Sequence, residues 1–342
     1  MTPLGAPNPP DMPTAGSLRQ PRAHGEAANP TKHPTAMHIT DLLNSRPTTF
    51  SFEFFPPKND ATAEELFAAI SELQPLHPAW VSVTYGAGGG TRERTHDLVE
   101  RIKHKTAVDV MPHLTCIRHT EAEIHDILER YANAGVSNIL ALGGDPPKNE
   151  AGYDRSRDSF RYAAQLVRYV KKFNSTFAGQ AIKDPRGFGV CVAGFPEGHP
   201  GCANRLKEMD YLRAKVDQGA DCIVTQLFFD NRDFFDFRER CELAGITVPV
   251  VAGVMPVTSA GGMKAMADLA AGARFPAPLL RAVNRCNGNA DAIKRVGVHW
   301  ATEQCRGLLD GRVRGIHLYT LNKSPATREI YANLGLESSL GV

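Results

Sequence analysis

Residues 51–58 read SFEFFPPK: a single glutamate, Glu53, in a β-rich run of phenylalanines that stops at two prolines. A carboxyl group buried beside aromatic rings is costly unless something uses it. Strand alternation puts Ser51, Glu53 and Phe55 on one face and Phe52 and Phe54 on the other. With the phenylalanines packed outward against helices, Glu53 points inward, and Pro56 and Pro57, which lack backbone donors, end the strand beside it. Apolar surroundings raise a carboxyl pKa, as a general acid working near neutral pH requires. The competing reading is a structural pair with a buried lysine or arginine.

Other polar residues recur where β-rich runs end. They are Thr84, His113 with Thr115, the turn Gly143-Gly144-Asp145-Pro146-Pro147, the run Phe195-Pro196-Glu197-Gly198-His199, Gln226, and Asn322 with Lys323. Each has a plain alternative. Thr84 suits a strand in its own right, His113 could be a satisfied core histidine, and Asp145 could be a turn aspartate. A buried amide such as Gln226 must find several partners, which favours a working role. Metal binding is not expected. His96, His104, His113, His119 and His125 form neither an H-E-x-x-H pair nor a tight His/Cys cluster. Schiff-base chemistry needs an interior lysine, whereas Lys58, Lys148 and Lys323 all read as loop residues.

Eight β-rich runs must position these groups: 49–55, 80–85, 108–116, 138–142, 187–194, 221–229, 247–255 and 315–321. Helical patterns fall between them. Thr62 with Glu65 and Thr120 with Glu123 read as capping boxes, and Gly135 and Gly219 as helix stops. Alternating strands and helices imply an α/β protein with parallel β-α units, and eight strands close a (β/α)8 TIM barrel, whose chemistry gathers at the C-terminal strand ends. The stretch 256–314 leaves room for extra helices before the last strand. An open doubly wound sheet would show G-x-G-x-x-G after the first strand; GAGGGT (86–91) follows the second and has Thr91 at the third glycine.

The 342 residues carry 42% hydrophobic and 22% charged residues with a formal net charge of +2, a globular composition with no nucleic-acid or membrane signature. Residues 1–36 hold eight prolines and no periodicity, so they read as a disordered tail with no secretory signal ahead of a single barrel domain over 37–342. Met37 directly precedes the first helical stretch and reads as an alternative start. The seven cysteines are scattered, and free thiols in a reducing cytoplasm are expected, with Cys116, Cys191 and Cys222 in or beside strands.

Taken together, SFEFFPPK, VSVTYGAGGGTRERTH, PHLTC, LALGGDPP, FPEGHP, KVDQGADCIVTQLFFD and YTLN resemble, in order, the motifs of the methylenetetrahydrofolate reductases, over about residues 40–335. The resemblance is to the bacterial type that is a catalytic domain alone. It implies an FAD-containing barrel that reduces 5,10-methylenetetrahydrofolate to 5-methyltetrahydrofolate with NADH or NADPH by a ping-pong cycle, feeding methionine synthesis. It further implies a cytoplasmic homo-oligomer. By resemblance, Glu53 is the general acid, Asp145 tunes the flavin and holds folate, and Gln226 and Lys323 contact folate. Flavin contacts fall on Thr84, Tyr85, Ala87, His113, Gly144, Asp145, Ala163, Phe195, His199 and Lys215. The chain departs from common family residues at Gly143, Phe195, Ala214 and Lys323, and 258–266 lacks a glutamine that some members use. Two other classes fit the barrel pattern: a flavin-free lyase acting on a phosphorylated metabolite, and a folate-binding protein without activity. A flavin spectrum separates them.

Overall fold

The computed structural model describes residues 37–85, 92–146, 152–270 and 273–342. In chain order the elements begin with α1 (Ile39–Asn44), β1 (Thr49–Phe54), α2 (Asp60–Leu73), β2 (Trp80–Val83), α3 (Arg92–Lys105), β3 (Val110–Thr115), α4 (Glu121–Asn133) and β4 (Asn138–Leu142). It continues through α5 (Ala163–Phe177), β5 (Gly189–Gly194), α6 (Arg205–Asp217), β6 (Cys222–Thr225), α7 (Asn231–Leu243) and β7 (Val250–Val254). Three helices follow, α8 (Ala260–Leu269), α9 (Ala277–Asn284) and α10 (Ala290–Asp310), before β8 (Gly315–Tyr319) and α11 (Pro325–Leu334). All eight strands pair in parallel and in chain order, and β8 returns to β1, closing the barrel. The expected (β/α)8 barrel with extra helices before its last strand is the observed fold.

Alternation along β1 sorts its side chains as the sequence implied. Phe50, Phe52 and Phe54 are fully buried in the layer between barrel and helices. Phe50 and Phe52 lie against Tyr331 of α11, with ring centroids 5.0 and 6.2 Å apart. Ser51 and Glu53 therefore face the interior. The opposite end of the barrel is closed by α1, whose Ile39, Leu42 and Leu43 pack on Trp80, Met111, Leu140, Cys191, Cys222, Val224 and Val251. Asn138 fastens that plug by accepting from the Ile39 N–H (2.6 Å) and donating to the Met37 carbonyl (2.8 Å).

Three expectations need correction. The capping box of α2 is Asn59 with Thr62, so Thr62 occupies the third helical position and Glu65 has no part in it. The sequence of Asn59 places a better acceptor one turn earlier, and the helix starts there. The box of α4, Thr120 with Glu123, is as expected, and Gly135 and Gly219 follow α4 and α6 with φ of +75° and +103°. Except for β4, which matches 138–142, the strands are shorter than the β-rich runs, most of all the sixth, which ends at Thr225 instead of Phe229. Leu227 and Phe229 instead join the cluster that seats α8, α9 and α10. Finally, Cys191 and Cys222 are not free thiols. They are registered partners on β5 and β6, both inward-facing, with Cα atoms 4.7 Å apart, and form a disulfide.

Candidate active site

The C-terminal end of β1 is fixed from β8. Thr320 Oγ1 donates to the Glu53 carbonyl (2.6 Å), and the Asn322 amide both accepts from the Phe55 N–H (2.7 Å) and donates to the Phe55 carbonyl (3.0 Å). Leu321 and Asn322 adopt left-handed backbone conformations to present that amide, with φ of +53° and +60°. Such conformations are sparsely populated for residues other than glycine and are kept where surrounding contacts demand them.

Glu53 is 6% exposed. Its Oε2 lies 3.3 Å from His113 Nε2 on β3, 3.4 Å from His317 Nε2 on β8, and 3.4 Å from Ser82 Oγ on β2. His317 is held in turn: Nδ1 is 2.7 Å from Ser51 Oγ, Nε2 is 3.2 Å from Ser82 Oγ, and the Trp80 ring stacks on it at 6.3 Å. Registers Ser51–His317 and Glu53–Ser82 place these groups side by side. The expected upward shift of the carboxyl is overturned. Burial pushes Glu53 up, but His113 and His317 beside it outweigh burial and bring it down to about 2. The pocket is shared with histidines, and among the described residues no lysine or arginine pairs with Glu53 as weighed from the sequence. His317, Ser51 and Ser82 were not singled out as working residues from sequence. The available signal was a histidine at the centre of an apolar strand, the same signal that His113 gave.

The remaining candidates lie where strands end. Thr84 and Tyr85 follow β2; the Tyr85 ring is buried and its hydroxyl sits 3.0 Å from His119 Nε2, turned toward α4. Ala87 lies outside the described residues. Gly144 and Asp145 follow β4; Asp145 is exposed. Ala163 opens α5 and is buried. Phe195 and His199 follow β5 with ring centroids 4.6 Å apart. Lys215, in the last turn of α6, donates to the Ala193 carbonyl (2.9 Å). Gln226 directly follows β6, with its Oε1 accepting from the Leu227 N–H (2.9 Å), and Lys323 is exposed after β8. Among the described residues no group of three or more His, Cys, Asp or Glu is placed to hold a metal ion.

Several of these features suit a planar polar cofactor with a diphosphate. His113 Nε2 and Thr115 Oγ1 are buried on β3 without an aligned hydrogen-bond partner. Gly144 has φ +75°, and a Cβ there would stand 3.0 Å from the Thr115 side chain, so only glycine lets this turn press against β3. Burial pulls the Lys215 ammonium down to about 8, and among the described residues it has no carboxylate within ion-pair distance. An anionic ligand would satisfy it.

A parallel eight-stranded barrel with a histidine-held carboxylate among polar groups at its C-terminal strand ends defines a (β/α)8-barrel protein. The methylenetetrahydrofolate reductase family model matches residues 38–335, and the chain belongs to that family. It is 35% identical over 290 residues to the 5,10-methylenetetrahydrofolate reductase of Escherichia coli K12, covering 85% of this chain and 92% of that protein. It is 37% identical over 307 residues to methylenetetrahydrofolate reductase (NADH) 1 of Arabidopsis thaliana, covering 87% of this chain and 50% of that protein. The chain thus spans about half the length of the plant relatives it matches. Among solved structures, a Clostridium thermocellum protein described as binding two copies of 5-methyl-5,6,7,8-tetrahydrofolic acid shares the fold. Its TM-score is 0.61 at 15% identity, with 88% of this chain and 98% of that one covered.

Proposed function

We propose that this protein reduces 5,10-methylenetetrahydrofolate to 5-methyltetrahydrofolate with NADH or NADPH, in the cytoplasm and as a source of methyl groups for methionine synthesis. The observation that carries this reading is the Glu53 carboxylate, buried at the barrel mouth between His113 and His317, in a chain of this family. FAD held at the C-terminal strand ends would supply hydride transfer between the nicotinamide and the folate, in a ping-pong cycle.

The chain's own residues do the rest. Thr84, Tyr85, Ala87, His113, Gly144, Asp145, Ala163, Phe195, His199 and Lys215 would hold the flavin, with Lys215 supplying a positive charge for its diphosphate. Gln226 and Asp145 hold the pterin, and Lys323 meets the carboxylates of the folate tail. Glu53 supplies the proton that opens the methylene bridge. Its carboxyl is ionised at rest because two imidazoles oppose burial. A ligand ring that displaces an imidazole from Oε2 leaves burial unopposed, and the carboxyl then takes up and holds a proton at Oε2. Ser51 keeps His317 in place through Nδ1 and so sets the geometry of that exchange.

An absorption spectrum of the purified protein tests the reading. Bound flavin should bleach with NADH or NADPH and recover when methylenetetrahydrofolate is added. A colourless protein that takes up no FAD and reduces nothing would sink it.

A further inference from the structure

The loop after β5, which carries Phe195 and His199, is held mostly by its neighbours α6 and α7. Arg205 Nη2 donates to the Glu197 carbonyl (2.5 Å), Arg240 Nη2 donates to the Pro196 carbonyl (3.1 Å), and Glu208 accepts from the His199 N–H (2.9 Å). One contact comes from elsewhere. The Glu197 side chain, 5% exposed, turns to the connection between α8 and α9. There the Arg274 N–H donates to both carboxylate oxygens (2.9 and 3.1 Å) and Arg274 Nε donates to Oε1 (2.9 Å). Arg274 Nη2 reaches on to Asp233 in the first turn of α7 (2.7 Å). The next residue, Phe275, stacks on Phe229 beyond the end of β6 with centroids 4.5 Å apart. Among the described residues no other cation pairs with Glu197.

We propose that Glu197 and Arg274 form a latch that ties the α8–α9 extension to the loop after β5, and that both are positioning residues for ligand binding at the barrel mouth. The assignment of what binds there rests on the proposed function. A buried carboxylate without a countercharge is strongly unfavourable, so loss of the Arg274 guanidinium, which leaves Glu197 only the residue-274 N–H, should drive Glu197 into water and carry its loop outward instead of leaving the charge in place. The connection loses the Arg274 side-chain contacts to Glu197 and Asp233 in the same event and is left with the Phe275–Phe229 stack. The two segments, 77 residues apart in sequence, should therefore loosen together.

Hydrogen exchange on the full chain without ligand tests the latch. Arg274→Ala should speed exchange about 10-fold in both 195–203 and 273–276 while leaving β1 to β3 unchanged. Arg274→Lys, which keeps the positive charge that Arg274→Ala removes, should restore much of the protection. Glu197→Ala combined with Arg274→Ala should be no worse than the poorer single variant, the mark of one shared interaction. In flavin-loaded protein the folate KM should rise about 10-fold while kcat stays within about 2-fold. Faster exchange in only one segment or in neither, additive single effects, or a fall in kcat at unchanged KM would overturn the proposal. Failure of the wild type to take up flavin defeats the proposed function, and the exchange result still judges the latch.

Discussion

The two halves of the barrel interior are made of different materials. On β8, β1, β2 and β3 the inward positions near the mouth hold His317, Ser51, Glu53, Ser82 and His113, all within a few ångströms of one another. The inward positions of β4 to β7 hold Leu140, Leu142, Cys191, Cys222, Val224 and Val251, which join Trp80 and Met111 from β2 and β3 in the cluster around α1. The apolar half keeps the surroundings of the polar half low in dielectric, so each hydrogen bond to the Glu53 carboxylate counts for more than it would in water. Within the barrel interior the carboxylate and its histidines are gathered on one wall, while the inward side chains of the other supply packing. Damage to the two walls should then differ in kind.

The largest effect is expected at Glu53. Glu53→Gln should leave flavin reduction by the nicotinamide nearly intact and slow reoxidation by methylenetetrahydrofolate by about 10³-fold, within the range general acids supply. Stopped-flow measurement of the two half-reactions checks this; equal losses in both would assign Glu53 a structural role and erase the contrast. The same pair of proteins has a pH signature. The folded-state carboxyl sits near 2, below its ordinary 4.5, so its ionisation stabilises the fold above pH 4.5, and that contribution disappears as pH falls toward 2. Denaturant titrations should show the stability gap between wild type and Glu53→Gln narrowing across that window.

On the other wall, Leu140→Ala should cost about 2–5 kcal/mol of stability by leaving a cavity. The rates of the molecules that remain folded should change little. A large rate loss with intact stability would mean the apolar wall takes part in the chemistry. Asp145→Asn lies between the two regimes: an exposed carboxylate after β4, it should weaken folate binding about 10-fold and shift the flavin potential without unfolding the protein. Unchanged affinity and potential would remove it from the site. The smallest effect belongs to Lys323→Ala, which should raise the folate KM a few-fold, roughly, with stability within about 0.5 kcal/mol of wild type.

The sequence exposed the architecture more readily than the interior. Eight β-rich runs and the polar residues at their ends were enough for a closed barrel with Glu53 inside, because alternation and prolines act locally. What lay across strands was hidden. That His113 and His317 flank Glu53, and that Cys191 meets Cys222, depends on register between distant segments, which no short stretch encodes. The direction of the Glu53 shift was misjudged for that reason: burial is legible in SFEFFPPK, but the imidazoles that outweigh it come from residues 60 and 264 positions away. At α2 the error was local. Asn59 and Thr62 compete to start one helix, and the earlier residue with an accepting side chain won.

The pairing of β1 with β8 has a consequence for how the protein becomes active. Glu53 belongs to the first strand made and His317 to the last, so the carboxylate gains that partner only when the barrel closes on itself. Such long-range closure is slow compared with local helix formation. A chain halted before β8 would carry Glu53 on an unpaired strand edge with no His317 beside it, and recovery of the folate half-reaction during refolding would time the closing of the ring.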